Sequence, residues 1–214
     1  RDAVGVYACA NEQDHTVRTH LTSVFRRYGL PQAILADNSS PWGVTHSFGA
    51  LTKLGAWLVR LGIEVWHGRP KHPQTQGKVE RFHQTVAAEI LAPFQYPDLA
   101  SCQTALDGWR QTYNLVRPHE ALALAVPADR YQASPRPFPE TLPPIVYGPG
   151  DVVCTIYGGG QLRYQGRFYF VGHGLYGERV GLRPTAVDGV LDVYYCQQRI
   201  TTLDLHTATA ATVD

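Results

Sequence analysis

The chain has 214 residues, of which 44% are hydrophobic and 17% charged, and its formal net charge is +1 at pH 7. This composition suits a folded chain with a sizeable core and excludes an intrinsically disordered one. No apolar run approaches the length of a membrane span and no signal peptide opens the sequence, so we expect a cytoplasmic protein without membrane contact. Four widely spaced cysteines, without a Cys-x-x-Cys pair, predict reduced core thiols.

Hydrophobic periodicity predicts an α/β domain over roughly the first half of the chain, because strand patterns alternate there with helix patterns. The third predicted helix has Val79 and Phe82 in its apolar stripe. In chain order, the predicted elements are a strand at 3–10, a helix from Asp14 to Tyr28, a strand at 32–36, a helix at 48–61, a strand at 62–68, a helix from near Gly77 and a helix from Asp98.

The second half of the chain has a different character. The segment at 134–144, SPRPFPETLPP, is proline-rich and indicates a stiff, extended linker. Short strand patterns separated by Gly-rich or Asp-Gly turns follow it and predict a small antiparallel barrel or sandwich. We therefore predict a first domain at 1–122, a linker at 123–144, a β domain at 145–206 and a loose tail at 207–214.

Two acidic residues are candidates for a metal site. Asp37 directly follows a short apolar strand, and functional groups gather at the carboxyl ends of strands in open α/β sheets. Glu80 lies in the first turns of the third predicted helix, and two such carboxylates would suit Mg²⁺. The residues alone leave another interpretation open, in which Asp37 belongs to a turn and Glu80 is a favourable acid near a helix N-terminus.

Three stretches in a fixed order give these acids a context: GLPQAILADNSSPW at 29–42, LGIEVWHGRPKHPQTQGKVERFHQTV at 61–86 and YNLVRPHEAL at 113–122. They resemble the integrase-core transposases of bacterial insertion sequences, which are DDE enzymes related to retroviral integrases. The resemblance extends from residue 1 to about 136 and weakly into the β domain. It implies an RNase H-like catalytic core that lacks its first strand, followed by a small SH3-like barrel.

The resemblance also implies an acidic triad that holds two Mg²⁺ or Mn²⁺ ions, cleaves transposon ends and transfers the 3′-hydroxyl into target DNA. Asp37 matches the second acid and Glu80 the third. Arg1 resembles the arginine that closes an Asp-Asp-His-Ser-Arg segment, so the first acid is expected upstream of residue 1 in an N-terminally truncated chain. Two departures from the family are Ser39, in place of a usual glycine, and Ala87, in place of a frequent base.

Further residues take possible roles from the resemblance, which implies DNA as partner, a homo-oligomer and a nucleoid-associated location. The loop and helix around Glu80 carry candidate contacts to DNA phosphates, with a solvated surface as the alternative: Arg69, Lys71, His72, Lys78 and Arg81. A second polar group either contacts DNA or locks its segment onto the core: Tyr113, Asn114, Arg117, Pro118, His119 and Glu120. In the β domain, a DNA-binding face is conceivable from Arg163, Tyr164, Arg167, Tyr169, Arg179 and Arg183.

Three functions remain open from the sequence. The first is DNA transposition by the full-length parent protein, with this chain inactive alone because it lacks the first catalytic Asp. The second is a catalytically inactive remnant that binds DNA or oligomerises, as the missing acid, Ser39 and Ala87 suggest. The third is an unrelated metal-dependent nuclease of the same fold. The stretch YNLVRPHEAL speaks against the third function, because nucleases of this fold have no reason to carry it.

Overall fold

The computed structural model describes residues 2–36, 39–43, 51–67 and 77–206. Its α-helices are α1 (Asp14–Tyr28), α2 (Lys53–Arg60), α3 (Gly77–Val86) and α4 (Leu99–Leu115), and a π-helix, Ala87–Leu91, continues α3. Its strands are β1 (Ala33–Ala36), β2 (Glu64–His67), β3 (Val152–Thr155), β4 (Gln161–Tyr164), β5 (Arg167–Phe170), β6 (Arg179–Pro184), β7 (Val190–Tyr195) and β8 (Gln198–Asp204). Within these described residues, no helix is both long enough and apolar enough to cross a membrane.

The chain divides into two compact units, and each combines segments that are distant in sequence. The first unit contains Arg1–Pro31 and Gly68–Phe138, and the second contains Gln32–His67 and Pro139–Asp214. Helices α1, α3 and α4 therefore belong to the first unit, whereas α2 and all the described strands belong to the second. The domain boundaries inferred from the sequence remain a prediction.

In the first unit, α1 has the limits that its apolar periodicity predicts, and its end is fixed by the proline-rich segment. Gly29 ends the helix with φ of 78°, in the left-handed region that favours glycine. A Cβ at this position would lie 2.8 Å from the carbonyl oxygen of Arg136. The backbone N–H of Leu30 donates to that same oxygen at 2.7 Å. Residues 134–136, predicted as linker, thus pack against the end of α1.

The segment predicted as a strand at 3–10 forms no strand in the structure, so this prediction is wrong for the described residues. A strand needs a neighbouring backbone to bond its N–H and C=O groups. Here, side-chain amides of α4 bond several of those groups instead. The apolar composition of the segment nevertheless has its expected effect, because Ala3 is buried and Val6 and Ala8 pack against the core of this unit.

In the second unit, β1 and β2 pair in parallel, with Ala33 opposite Glu64 and Ala36 opposite His67. The predicted strands at 32–36 and 62–68 are therefore confirmed in type and place. Helix α2 lies between the two strands in sequence, as a parallel pair requires a crossover. Its N-terminus is capped by Thr52, whose hydroxyl accepts from the N–H of Gly55 at 3.0 Å.

The remaining strands of the second unit form two open antiparallel sheets. One has the order β3-β6-β7-β8, and the other is the β4-β5 hairpin. Five of these six strands were predicted, and β8 was not, because its polar residues interrupt the alternating pattern. The mixed α/β character of the chain is confirmed. The open sheets do not confirm a closed SH3-like barrel, which stays a prediction together with the missing first strand.

Helix α2 shares one hydrophobic core with these sheets. Its residues 54–59 are all buried, as is typical of a helix that is apolar on every side. Ala56 and Val59 belong to the same cluster as Leu162, Val180 and Val193 of the strands. At the helix N-terminus, the short 3₁₀ turn His173–Leu175 comes so close that a Cβ on Gly174 would collide with the backbone carbonyl of Leu51. One face of α2, which carries Ala56 and Val59, is therefore buried against the C-terminal sheets.

The cysteines agree only partly with the prediction of reduced core thiols. All four are free thiols. Cys9 is exposed, whereas Cys102, Cys154 and Cys196 are half-buried. The prediction of a core position is wrong for Cys9, because the segment that carries it is not the interior strand inferred from the sequence.

The close approach at Gly174 gives a stability prediction. Substitution Gly174→Ala places a methyl group against the backbone of Leu51 and Thr52, which cannot yield as a flexible side chain would. We expect it to lower the free energy of unfolding by about 1–3 kcal/mol, as overpacking does. Urea denaturation of the purified protein measures this change. The matched control is Gly158→Ala, because a Cβ on Gly158 meets no atom within 4 Å; equal effects of the two substitutions would contradict the packing described.

Candidate active site

Helix α3 is anchored by one face and exposed on the other. Val86 is buried and packs in one cluster with Leu106 and Trp109 of α4, and Phe82 and Ile90 extend the same face. Val79 was predicted to belong to this apolar stripe, but it is 49% exposed, so that prediction is wrong. The stripe begins one turn later, at Phe82, and the first turn of α3 lies outside the core.

The predicted functional residues of α3 lie in that exposed part. Lys78, Glu80 and Arg81 are all solvent-exposed. The carboxylate of Glu80 is therefore accessible as a hard oxygen ligand, the type that Mg²⁺ prefers. Within the described residues, no group of three or more His, Cys, Asp or Glu side chains could hold a metal ion. A metal-ligand role for Glu80 therefore stays a prediction.

Several predicted site residues lie outside the described part of the chain. Asp37 directly follows β1 in sequence, and its own position is not described. Arg69, Lys71 and His72 precede α3 and lie outside it as well. The pairing of Asp37 with Glu80, and the proposed phosphate contacts of the loop before α3, accordingly remain predictions.

Beyond Val86, the helix widens into a π turn that carries an acid the sequence analysis did not select. The N–H of Ala92 donates to the carbonyl oxygen of Ala87 at 2.8 Å, five residues back, as in a π-helix. Glu89, inside this turn, accepts from the indole N–H of Trp109 at 2.7 Å. Its two oxygens also accept from the guanidinium of Arg117 at 2.8 and 3.0 Å. Glu89 thus joins α3 to α4 and to the segment after α4.

These donors change the ionisation of Glu89. The hydrogen bond from Trp109, and then the hydrogen bond and charge of Arg117, hold the pKa of Glu89 below its ordinary value. Since the folded-state pKa is lowered, the stability that these contacts add is present above the ordinary pKa of 4.5 and is lost as the pH falls through the lowered value. Glu89 is consequently a carboxylate throughout the neutral range.

Tyr113, the first residue of the YNLVRPHEAL stretch, lies at the centre of an aromatic group. Its ring is 5.0 Å from that of Trp109 in a stacked arrangement and 5.4 Å from that of Phe82, edge to face. The ring of His119 approaches the other edge at 4.8 Å. Such arrangements stabilise by about 0.5–1.5 kcal/mol per pair beyond burial. Tyr113 thereby packs the end of α4 against the helix that carries Glu80.

Asn114, the next residue, bonds the N-terminal segment. Its side chain is the one buried polar side chain among the described residues, at 5% exposure. It accepts from the N–H of Ala3 at 2.8 Å and donates to the carbonyl oxygen of Ala3 at 3.1 Å. Gln103, which lies nearer the start of α4, bonds the same segment. Its side chain accepts from the N–H of Ala8 at 2.9 Å and donates to the carbonyl oxygen of Val6 at 3.1 Å. The two amides thus take the place of a strand neighbour.

The rest of the stretch forms a tight turn. Pro118 lies outside the end of α4, and the N–H of His119 donates to the carbonyl oxygen of Ala125 at 3.2 Å. Glu120 opens a 3₁₀ turn, Glu120–Leu122, and is exposed there. Together with the Arg117–Glu89 pair, these contacts lie within the protein and favour the structural interpretation of the stretch. DNA contact by the same residues stays a prediction.

The face considered for DNA binding in the β domain is only partly available. Tyr169 is buried at 7% exposure. Arg183 donates to both carboxylate oxygens of Asp151 at 2.7 and 3.0 Å and lies 4.0 Å above the ring of Tyr194. Arg163 and Arg167 are exposed on the β4-β5 hairpin. The six residues therefore do not form one free surface.

Comparisons with known proteins find similar domains for the helices and strands just described. A model of the integrase core domain matches residues 61–127, a range that contains α3, α4 and the YNLVRPHEAL stretch. A model of the C-terminal domain of IS481 family transposases matches residues 151–211, which contain strands β3 to β8. These matches confirm the resemblance found in the sequence: two parts of the chain are similar to an integrase core domain and to the C-terminal domain of an insertion-sequence transposase.

The curated relatives are insertion-element proteins. An IS476 protein of Xanthomonas euvesicatoria is 29% identical over 100 residues, which are 47% of this chain and 27% of that protein. An IS136 protein of Agrobacterium fabrum is 34% identical over 55 residues, which are 26% of this chain and 28% of that protein. The chain thus spans little more than a quarter of the length of the relatives it matches.

Solved structures of viral integrases are also similar to this chain. The match to the catalytic core domain of BIV integrase covers 57% of this chain and 73% of that domain's chain. Its sequence identity is 21% and its TM-score is 0.43. A chain of the simian T-cell lymphotropic virus intasome in complex with a PP2A regulatory subunit covers 90%, with 66% of its own length, 14% identity and a TM-score of 0.45. These scores are too low to define the fold of this chain.

The bonds of Asn114 lead to a prediction. In Asn114→Ala, the N–H and C=O of Ala3 lose their partners in a buried place, and each such group costs about 1–3 kcal/mol. We expect the free energy of unfolding to fall by that order and the amide of Ala3 to lose protection in hydrogen exchange. The control is Gln111→Ala, on an exposed position of the same helix. Unchanged protection at Ala3 would show that Asn114 is dispensable for this segment.

Proposed function

We propose that the chain is the catalytic and C-terminal part of a DNA transposase that cleaves transposon ends and transfers a 3′-hydroxyl into target DNA. The observation that carries the proposal is an exposed Glu80 between Lys78 and Arg81, on a helix whose opposite face is fixed in the core. This helix lies inside the segment that matches an integrase core domain. We assign the core to the RNase H-like class, without its first strand, and the β domain to the SH3-like class.

Asp37 and Glu80 are the proposed metal ligands from this chain. Mg²⁺ or Mn²⁺, when bound, supplies the positive charge that stabilises the attacking and leaving oxygens of a phosphoryl transfer. The part of Glu80 is to present a carboxylate from a rigid helix, because a ligand on an anchored element loses little conformational freedom when it binds. Asp37 directly follows the last residue of β1 in sequence.

DNA is the proposed partner, at both the transposon ends and the target, and a homo-oligomer holds the paired ends. Lys78 and Arg81 flank Glu80 with positive charge, which suits phosphates near a site of phosphoryl transfer. Arg69, Lys71 and His72 precede them in the sequence and are assigned the same role. No membrane takes part in this function.

The assignment of the two acids is tested by strand transfer in the full-length gene product. Asp37→Ala and Glu80→Ala are each expected to lower the rate in Mg²⁺ at least about 100-fold, since even groups that only support a metal ligand contribute 10- to 100-fold. The measurement is joining of a labelled transposon-end oligonucleotide to plasmid DNA. Glu12→Gln, an exposed acid away from α3, is the control and should retain the wild-type rate.

Two outcomes would overturn this proposal. Wild-type rates in Asp37→Ala or Glu80→Ala would remove that residue from the site. Wild-type protein that binds DNA but gives no strand transfer in either Mg²⁺ or Mn²⁺ would instead support the non-enzymatic function, in which the chain binds DNA or oligomerises.

The proposed phosphate contacts predict a change in salt dependence. The logarithm of the DNA association constant falls linearly with the logarithm of salt concentration, with a slope near −0.9 per neutralised phosphate. Lys78→Gln and Arg81→Gln should each reduce that slope by about 1 on duplex DNA of any sequence. Arg130→Gln, an exposed arginine of the first unit, serves as control. Slopes equal to that of the control would assign Lys78 and Arg81 to the solvated surface.

A further inference from the structure

Glu89 is the residue at which three parts of the first unit meet. It lies on the π-helix that continues α3, it accepts from the indole of Trp109 on α4, and it pairs with Arg117 of the YNLVRPHEAL stretch. Glu80 is carried by the same continuous helical segment. Any rotation or slide of this segment would therefore have to break the bonds of Glu89 before it could displace Glu80.

We propose that Glu89 is a positioning residue that fixes the orientation of the Glu80 helix by bridging α4 and Arg117. The inference rests on the proposed function, because Glu80 is the group that it positions. Trp109 and Arg117 are the two partners through which it acts. Arg117 thereby gains a defined role, as the anchor of its stretch to the active-site helix.

The chemistry of the bridge requires a carboxylate. One oxygen of Glu89 accepts from the indole N–H and from Arg117, while the other accepts from Arg117 alone. A carboxylate offers two oxygens with about four acceptor positions in one plane, whereas an amide offers one oxygen. Both contacts from Arg117 come from one nitrogen, Nη1, which donates to the two carboxylate oxygens. The isosteric Glu89→Gln therefore keeps one acceptor oxygen and cannot accept from Trp109 and at both positions from Arg117.

The π turn is the second observation in favour of a functional role. A π turn inserts extra backbone into a helix at a cost in regular hydrogen bonding, and such turns are frequent at functional sites. Here it begins directly after Val86, the last buried residue of α3, and Glu89 lies inside it. The widened turn thus sets the direction of Glu89 towards Trp109 and Arg117 while the segment stays continuous with the helix that carries Glu80.

Exposure argues that the bridge serves geometry more than stability. The side chains of Arg117 and Glu89 are 42% and 40% exposed. Exposed ion pairs add little to stability. A displacement of about 1 Å in a reacting group, by contrast, can cost about 100-fold in rate. Loss of the bridge should consequently be visible in catalysis at a temperature where the protein remains folded.

The test compares Glu89→Ala, Arg117→Gln and the double variant in the full-length gene product. Each single variant is expected to lower the maximal rate of strand transfer at saturating Mg²⁺ by about 10- to 100-fold, as a mispositioned group does. The double variant should be no slower than the slower single variant, because both remove the same bridge. Arg117→Lys, which keeps the positive charge and a single donor nitrogen in place of the larger guanidinium, should recover part of the rate. Glu12→Gln is again the control.

A second readout does not depend on activity. In NMR spectra, the indole N–H of Trp109 should exchange faster with solvent in Glu89→Ala. The thermal midpoint of the same variant should fall by no more than about 2–4 °C, because an exposed ion pair adds little to stability. Two results would overturn the inference. In the first, the losses in strand-transfer rate of Glu89→Ala and Arg117→Gln multiply in the double variant. In the second, the rate of each variant falls only in proportion to its folded fraction.

The two proposals can fail separately. If Glu80→Ala abolishes strand transfer while Glu89→Ala retains the wild-type rate, the positioning role is wrong and the transposase function stands. If the wild-type protein gives no strand transfer at all, both proposals fall together. If Glu89→Ala is slow but the double variant with Arg117→Gln has the wild-type rate, the slow rate of Glu89→Ala comes from the unpaired charge of Arg117. Loss of the bridge is then not its cause.

Discussion

The first unit depends on the packing of Val86 against Leu106 and Trp109, which joins the helix of Glu80 to α4. Glu80, the proposed metal ligand, is exposed to solvent, so its position depends on how the opposite face of its helix is packed. The aromatic ring of Tyr113 and the carboxylate of Glu89 reinforce that face from two sides. The position of Glu80 therefore depends on the apolar packing between α3 and α4.

Helix α4 supports the unit through polar contacts as well. Its amides at Gln103 and Asn114 bond the backbone of the N-terminal segment, and Asp98 caps its own N-terminus by accepting from the N–H of Ser101 at 2.7 Å. A helix that serves both an apolar cluster and a backbone partner tolerates few changes at those positions. The YNLVRPHEAL stretch begins within this helix, which accounts for its dense sequence of polar and aromatic residues.

Much of the fold could be predicted from local patterns. The limits of α1, the strands β1 and β2, and five of the six C-terminal strands follow from apolar periodicity and turn residues, which act over a few positions. The errors concern contacts between distant segments. The N-terminal segment has the composition of a strand, yet its partners are amides more than 90 residues away. Glu89 was missed for the same reason, since neither Trp109 nor Arg117 is near it in sequence. Glu80 and Asp37 were selected through motifs and stay predictions, because periodicity alone did not distinguish them from a helix N-terminal acid and a turn residue.

The packing of α2 against the C-terminal sheets has a consequence for how such proteins vary. Ala56 and Val59 lie in the same hydrophobic cluster as the strands of the segment that matches an IS481-type C-terminal domain. A chain segment that buries another segment in this way is not an interchangeable module. Exchange of the C-terminal sheets between related proteins would bring a foreign apolar surface against α2, and the two would have to change together. The C-terminal part and the α2 region are thus expected to be inherited as a pair.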